Sequence, residues 1–387
     1  MRARYESFGG IVVLDHPPVT LFVNRSMMRK LGYPDSPLWR EEKPCLSAPL
    51  TAHFAVTSQC PVGCQICSSD SLPSAPDGLA TSHAKRVLEI LARMGVFTVA
   101  FGGGEPLARS DIFELATSAG RLGLTPTLTT NGWYLDPPTA HRCRVFRHIH
   151  VSMDGIGDVY TEVRGVDGFE YAVQAIELLV RSGVSVGINC IVSRANFDHL
   201  EELVRFLAGR GVRDVLFLRL KPSGRALSRY REMRLTPDQT RALFPLIQKW
   251  TTRYRMRIYV DCAMMPFVYI HRPDQKLARQ VAAEGCVGGS EIVEIQPDGG
   301  VKACSFAQEK AGNVLQLPDF WRTAPPFQKF RQWVNHAPEP CRECEYLSLC
   351  RGGCHAIAET LTGNFHSPDP ECPFVLERGG TDGSFGS

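Results

Sequence analysis

Between residues 51 and 260, short apolar runs alternate with amphipathic segments of helical period. "HFAVTS" predicts a strand, and "TSHAKRVLEILARMG" predicts a helix that Thr81 or Ser82 would cap and Gly95 would end. "VFTVAFGG", "TPTLTT", "HIHVSM", "SVGINCIV" and "DVLFLRL" predict five more strands. Helical patterns follow in "RSDIFELATSAGRLG", near "PPTAHRCRVF", and in "FEYAVQAIELLVRSG", "FDHLEELVRFLAGRG" and "PDQTRALFPLIQKWTTRY". Six strand–helix units of this length fit parallel strands joined by right-handed crossovers. The runs are near-continuously apolar, which predicts cover on both faces. An open doubly wound sheet and an incomplete barrel both accommodate six units.

The flanks differ. Residues 1–50 predict two strands, "GIVVL" and "VTLFV", around "DHPP", then a short helix in "RSMMRKLGY". From 261 to 377 helical periodicity fades, Pro and Gly rise and eight cysteines appear, seven of them from Cys286 onward, so a metal is expected to organise the segment. Residues 378–387, within "RGGTDGSFGS", read as a disordered tail.

Composition narrows the function classes. The 387 residues suffice for two or three domains. A net charge of +3 without a dense basic stripe gives no case for nucleic acid. No apolar run approaches the roughly 20 residues of a membrane span, and "MRARYESFGG" has no signal-peptide core behind it. These features predict a soluble, cytoplasmic protein with no membrane partner. Its 14 cysteines then point to metal or catalysis rather than disulfides.

The polar signatures share one placement. "CPVGCQIC" follows the first strand, "GGGEP" the second, "TTNG" ends the third and "SMDG" the fourth. All four fall at carboxyl ends of strands, where parallel α/β folds collect their active sites. Cys60, Cys64 and Cys67 place three thiols on one tight loop. A cubane 4Fe–4S cluster has four iron corners, so three thiolates leave one free for another ligand. Zinc held by three thiolates is the alternative.

CxxxCxxC after the first strand, a GGE loop after the second and six βα units resemble the radical S-adenosylmethionine (radical SAM) superfamily. The resemblance implies a partial (β/α)6 barrel, with the N-terminal hairpin and helix before it and a cysteine-rich, cluster-organised domain after it. It implies that Cys60, Cys64 and Cys67 hold a cluster whose open iron is chelated by S-adenosylmethionine. One electron then cleaves the sulfonium, and the 5′-deoxyadenosyl radical abstracts hydrogen from a substrate. Gly103, Gly104 and Glu105 would hold the methionine amino group. Ser152 and Asp154 would meet the ribose, Arg164 a carboxylate, and Asn189 the adenosyl region. Ile66 stands where relatives often carry an aromatic, which leaves an apolar contact to adenine.

Cys286, Gly299, Cys304, Cys341-x2-Cys344-x5-Cys350-x3-Cys354 and Cys372 resemble the seven-cysteine SPASM extension of certain radical SAM enzymes. This implies two auxiliary 4Fe–4S clusters, hence three in all. Cys341, Cys344, Cys350 and Cys372 would form one complete set, and Cys286, Cys304 and Cys354 the other. Cys262 would complete the second set, or its corner would stay open. Cys45, Cys143 and Cys190 read as buried small apolar residues. Within the group, "RMGVFTVAFGGGEP" resembles the peptide maturases of the pyrroloquinoline quinone and mycofactocin pathways. The expected substrate is therefore a ribosomally made precursor peptide, with a flavodoxin or ferredoxin as electron donor. Modification of a sugar alcohol or tetrapyrrole is a second enzymatic reading, and a non-catalytic iron–sulfur carrier a third. No motif identifies a catalytic side chain that attacks the substrate.

Overall fold

The computed structural model describes residues 1–15, 18–40, 42–274 and 284–379. Seven parallel strands form its centre: β4 (Thr51–Thr57), β5 (Thr98–Gly103), β6 (Thr125–Thr130), β7 (His148–Ser152), β8 (Val186–Val192), β9 (Asp214–Arg219) and β10 (Arg257–Val260). They lie side by side in chain order, as successive right-handed crossovers require. The arrangement is an incomplete β/α barrel. The six expected strands are β4–β9, and the short "RIYV" of β10 extends them beyond the expected count.

The sheet is covered by helices on one face only. Phe54, Val99, Phe101, Leu128, Ile149, Val151, Ile188 and Phe217 pack in one cluster with Leu88, Leu91, Leu115, Ile176, Leu203 and Ile247 of the helices. Alternate residues face the other way and are largely polar: Thr125, Thr127 and Thr129 on β6, His148, His150 and Ser152 on β7, and Asn189 on β8. This corrects the expectation of strands apolar on both faces. The bare face of a partial barrel is its working surface, so the period-2 alternation prevails.

The helix Thr81–Met94 starts after Ala80, which makes no side-chain cap. Thr81, the first helical residue, instead helps to lower the Asp111 carboxyl. Gly95 does end this helix, in the left-handed conformation.

On the other side of β4 the sheet continues through β11 (Ile292–Ile295), parallel to it, then antiparallel β12 (Gly300–Lys302) and β13 (Lys310–Asn313). Val293, Ile295, Val301, Trp321 and Phe327 join the main apolar cluster. The first part of the cysteine-rich region therefore extends the central core, and the chain beyond it is built from short helical turns. A buried ion pair fastens that later part to the barrel. Arg219, at the end of β9, meets Asp369 at 2.6 and 2.9 Å and Glu371 at 2.8 Å.

The N-terminal unit has three antiparallel strands, β1 (Arg2–Glu6), β2 (Gly9–Asp15) and β3 (Pro18–Asn24), before the helix Arg25–Lys30. β1 was not expected because its inward residues are charged. Arg4 is buried, paired with Glu6 at 2.8 Å and donating to the carbonyls of Ala48, Pro49 and Gly95. The predicted tail lies outside the described residues from 380 onward, while Arg378 and Gly379 end the helix Pro373–Gly379.

Candidate active site

The loop after β4 carries Cys60, Cys64 and Cys67, and three neighbouring segments hold it. Gln65 N donates to Arg164 O at 2.8 Å, and its side-chain amide reaches Glu162 O at 2.7 Å. Arg225 spans the loop from below: its Nε donates to Cys64 O at 2.9 Å and its Nη2 to Ser71 O at 3.0 Å, while its backbone N–H meets Cys67 O at 2.9 Å. Ile66 is 3% exposed among Val163, Leu220, Ala226, Tyr230 and Met233, so its side chain anchors the loop from behind.

The three thiols stay accessible while their surroundings are polar. Asn131 Nδ2 lies 3.6 Å from Cys60 Sγ, Arg164 Nη1 3.6 Å from Cys64 Sγ, and Ser69 Oγ 3.5 Å from Cys67 Sγ. Burial pushes the Cys60 and Cys64 thiols up, and Arg164 opposes it at Cys64. A bound cation is therefore what would hold Cys60 and Cys64 as thiolates.

Beside this loop, Gly103 and Gly104 bring the end of β5 against the chain after β4. Gly104 N donates to Thr57 O at 2.8 Å and Glu105 N to Gln59 O at 2.7 Å. A Cβ on Gly104 would lie 2.1 Å from Gln59 O, so no larger residue fits. Glu105 is 1% exposed and accepts from Leu107 N, Thr130 Oγ1 and Asn131 N at 2.7 to 3.0 Å. Its carboxyl joins the GGE loop to "TTNG". Burial raises it to about 7 in spite of those donors.

At the end of β7, Ser152 pairs with Asn189 of β8, whose Oδ1 is buried without a hydrogen-bond partner. Asp154 is fully enclosed: Ile191 N donates to Oδ1 at 2.6 Å and Arg164 Nε sits 2.7 Å from Oδ2. Burial raises the Asp154 carboxyl, with Arg164 opposing it. Burial also works against the charge on Arg164, yet Asp154 and Tyr160 hold it protonated. Ser152 and Asn189 are thus open to a ligand, whereas Asp154 orients Arg164 against the cluster loop.

The remaining cysteines form two groups. Cys341, Cys344, Cys350 and Cys372 line one cavity with Pro266, Tyr269, Tyr346 and Phe374. After burial, Cys304 and Cys354 raise the Cys286 thiol and Cys354 raises that of Cys304, and Cys262 feels both Cys286 and Cys354. Cys262, which the sequence offered as a fourth ligand beside an open corner, opens a short helical turn directly after β10. Cys143 and Cys190 are buried as expected, but Cys45 is half-exposed in the connection ahead of β4, where no apolar cluster encloses it. Among the described residues every cysteine is free. Nor do three cysteine sulfurs there lie within 4.8 Å of one another. Ligands on a single tetrahedral zinc would be about 3.8 Å apart for sulfur. The sulfurs stand farther apart than one zinc ion needs, and the unpartnered Asn189 oxygen and open Gly102, which has nothing within 4 Å of its Cβ position, leave a polar berth beside the first set. Both features fit an iron–sulfur cluster with an adenosyl ligand at its open corner.

Comparison with known proteins bears on the same segments. Residues 54–207 match the radical SAM superfamily, and residues 286–345 match the SPASM iron-sulfur cluster-binding domain. The mycofactocin maturase of Mycolicibacterium smegmatis is 32% identical, covering 84% of this chain and 83% of its own. The PqqA peptide cyclase of Gluconobacter oxydans is 30% identical over 84% of this chain and 91% of its own. An AdoMet-dependent heme synthase of Oleidesulfovibrio alaskensis is 27% identical over 83% and 86%. The crystal structure of Streptococcus suis SuiB bound to precursor peptide SuiA has a TM-score of 0.75, at 18% identity, over 96% of this chain and 98% of that one.

Proposed function

Because the chain belongs to the radical SAM superfamily and carries its SPASM extension, we propose that this enzyme modifies a ribosomally made precursor peptide. When bound, the reduced cluster and S-adenosylmethionine supply a 5′-deoxyadenosyl radical that removes hydrogen from the substrate. The protein's part is to hold the parts in register and keep water away. Cys60, Cys64 and Cys67 carry the first cluster. The Gly103–Gly104 backbone receives the methionine end, and Ser152 and Asn189 receive the sugar and base. Arg164 neutralises the loop at Cys64, and Asp154 and Glu105 act as positioning groups. Ile66 is left only an edge for the adenine. Cys341, Cys344, Cys350 and Cys372 hold one auxiliary cluster; Cys286, Cys304 and Cys354, with Cys262 as fourth ligand, hold the other.

The observation that carries the peptide reading is β3. It is an edge strand of the N-terminal sheet, and among the described residues its second edge pairs with no other strand. Val19, Leu21 and Phe22 are exposed along it, and Phe22 stacks on exposed Phe8. Met27 and Leu31 extend the apolar surface across the adjacent helix. An extended leader can add to such an edge, gaining backbone hydrogen bonds and side-chain pockets together. A flavodoxin or ferredoxin is the expected electron donor.

Co-expression with a candidate precursor, followed by mass analysis, should give a peptide of altered mass. Hydrogen exchange of the complex should show protection over residues 18–24. Full turnover of a tetrapyrrole or sugar alcohol, with no peptide binding and no loss on deleting residues 1–46, would overturn the proposal. The cluster assignment has its own test. Fully loaded protein should hold about 12 irons per chain, and about 8 after Cys60, Cys64 and Cys67 are all changed to Ala.

A further inference from the structure

His148, His150 and Asp214 meet on the polar face of the sheet, at the end remote from the cysteine loop. His148 and Asp214 are the first residues of β7 and β9, and His150 follows on the same face of β7. Ser152, at the far end of β7, is four residues or about 13 Å along the strand from His148. The three side chains converge over β8, because Gly187 there is in register with His150 on one side and Asp214 on the other. A Cβ at Gly187 would stand 2.4 Å from Asp214 Oδ1, 2.7 Å from His148 Nε2 and 3.0 Å from His150 Cδ2. Only a glycine lets side chains of β7 and β9 touch across the strand between them.

The donor atoms are aimed at a common point. His148 Nε2 lies 3.4 Å and His150 Nε2 3.7 Å from Asp214 Oδ1. One ligand atom from each of the three lies within 4.8 Å of the others, and among the described residues no other such group does so. Tetrahedral ligands held about 2.1 Å from a metal are separated by about 3.4 Å. The outer contacts match as well. His148 Nδ1 is 2.9 Å from Ser185 Oγ, which leaves Nε2 to face inward. Arg257 Nη2 takes the other carboxylate oxygen, Asp214 Oδ2, at 3.1 Å.

We propose that His148, His150 and Asp214 bind one divalent cation of the zinc class, with a fourth position open on the face that also carries Ser152 and Asn189. Two imidazoles and one carboxylate select such an ion over magnesium or calcium, which prefer all-oxygen sites. The ion ties the amino ends of β7 and β9 across β8 and is separate from the cysteine sets.

The test uses the full chain with its clusters loaded, so that the cysteines are occupied, in anaerobic buffer freed of zinc. Zinc chloride is titrated in, and retained zinc and iron are counted by elemental analysis. One zinc per chain is expected beyond the iron. His150→Ala and the near-isosteric Asp214→Asn should each weaken zinc binding at least about 100-fold. Their iron content and reductive cleavage of S-adenosylmethionine should stay at the parent level, which also shows that they fold. Gly187→Ala should abolish retention by parting the ligands. Anomalous scattering at the zinc edge should place a peak between the three side chains. No zinc retained by the parent, equal zinc in parent and Asp214→Asn, or a peak only at cysteine sulfur would overturn the proposal.

Discussion

Gly104 and Glu105 show how little freedom the site leaves single residues. The backbone of Gly104 touches that of the cysteine loop, and an added Cβ meets Gln59 O at 2.1 Å. Gly104→Ala must therefore push the two loops apart. Reductive cleavage of S-adenosylmethionine should fall at least about 100-fold, since misplacement near 1 Å has that scale of effect. Iron content should change little. Glu105 makes a prediction about pH. Its carboxyl is lifted from 4.5 to about 7, chiefly by burial. Above pH 4.5 the unfolded chain gives up this proton while the folded one keeps it, so stability falls as pH climbs to about 7. Between pH 5.5 and 8 the loss from this group is about 2 kcal/mol. Urea unfolding at those two values should show a smaller difference in Glu105→Gln than in the parent. An equal difference would mean that Glu105 is ionised throughout. Glu291 and Glu294 are raised to about 7 as well, also by burial, so only the comparison between variants isolates Glu105.

At the scale of elements, the cysteine loop has no regular structure of its own and depends on what β7, β9 and their following turns present to it. Arg225 does most of this from the turn after β9, with side-chain bonds to Cys64 O, Ser71 O and exposed Asp70. The Asp70 contact is exposed and adds little. The two carbonyl contacts are half-buried and charge-assisted, each worth about 1.5–3 kcal/mol. Arg225→Ala should leave the barrel folded but loosen the loop. One cluster's iron should then be lost to a chelator at least about 10-fold faster, with the auxiliary clusters unaffected. Uniform loss of all iron would show that Arg225 supports the whole fold instead.

Across the whole molecule, the barrel and the later cysteine region meet at one buried charge network. Arg219 binds Asp369 and Glu371 and also donates to Ala263 O at 2.8 Å, while Asp369 accepts from Cys354 N at 3.0 Å. Removing Arg219 leaves Asp369 enclosed without its partner cation. Such a loss costs about 3–5 kcal/mol. Arg219→Ala should therefore lower the unfolding free energy by that amount and release auxiliary iron, because Cys354 is held through the same carboxylate. Arg219→Lys should not restore it, since an ammonium cannot match the two-pronged contact. Wild-type stability in Arg219→Ala would show that the apolar contacts of β11–β13 suffice to join the two regions.

Much of this architecture was legible in the chain itself. Thiols at gaps of three and two residues on one loop, glycines before Glu105, and six strand–helix periods are local patterns. Local patterns survive folding because backbone geometry sets them, and carboxyl-end loops of a parallel sheet must share one face. What could not be read locally depends on partners far along the chain. β1 hides its charges because Arg4 finds carbonyls at Ala48, Pro49 and Gly95. Asp154 is enclosed at the end of β7 because Arg164 and Ile191, both on later elements of the chain, close on its carboxylate. Cys262 reaches Cys286 and Cys354 only through the turn after β10. His148, His150 and Asp214 become one site only when Gly187 lies between them. Spacing along the chain determined which chemistry each loop carries. Strand order and register decided which side chains meet, because they alone bring residues of different strands within bonding distance.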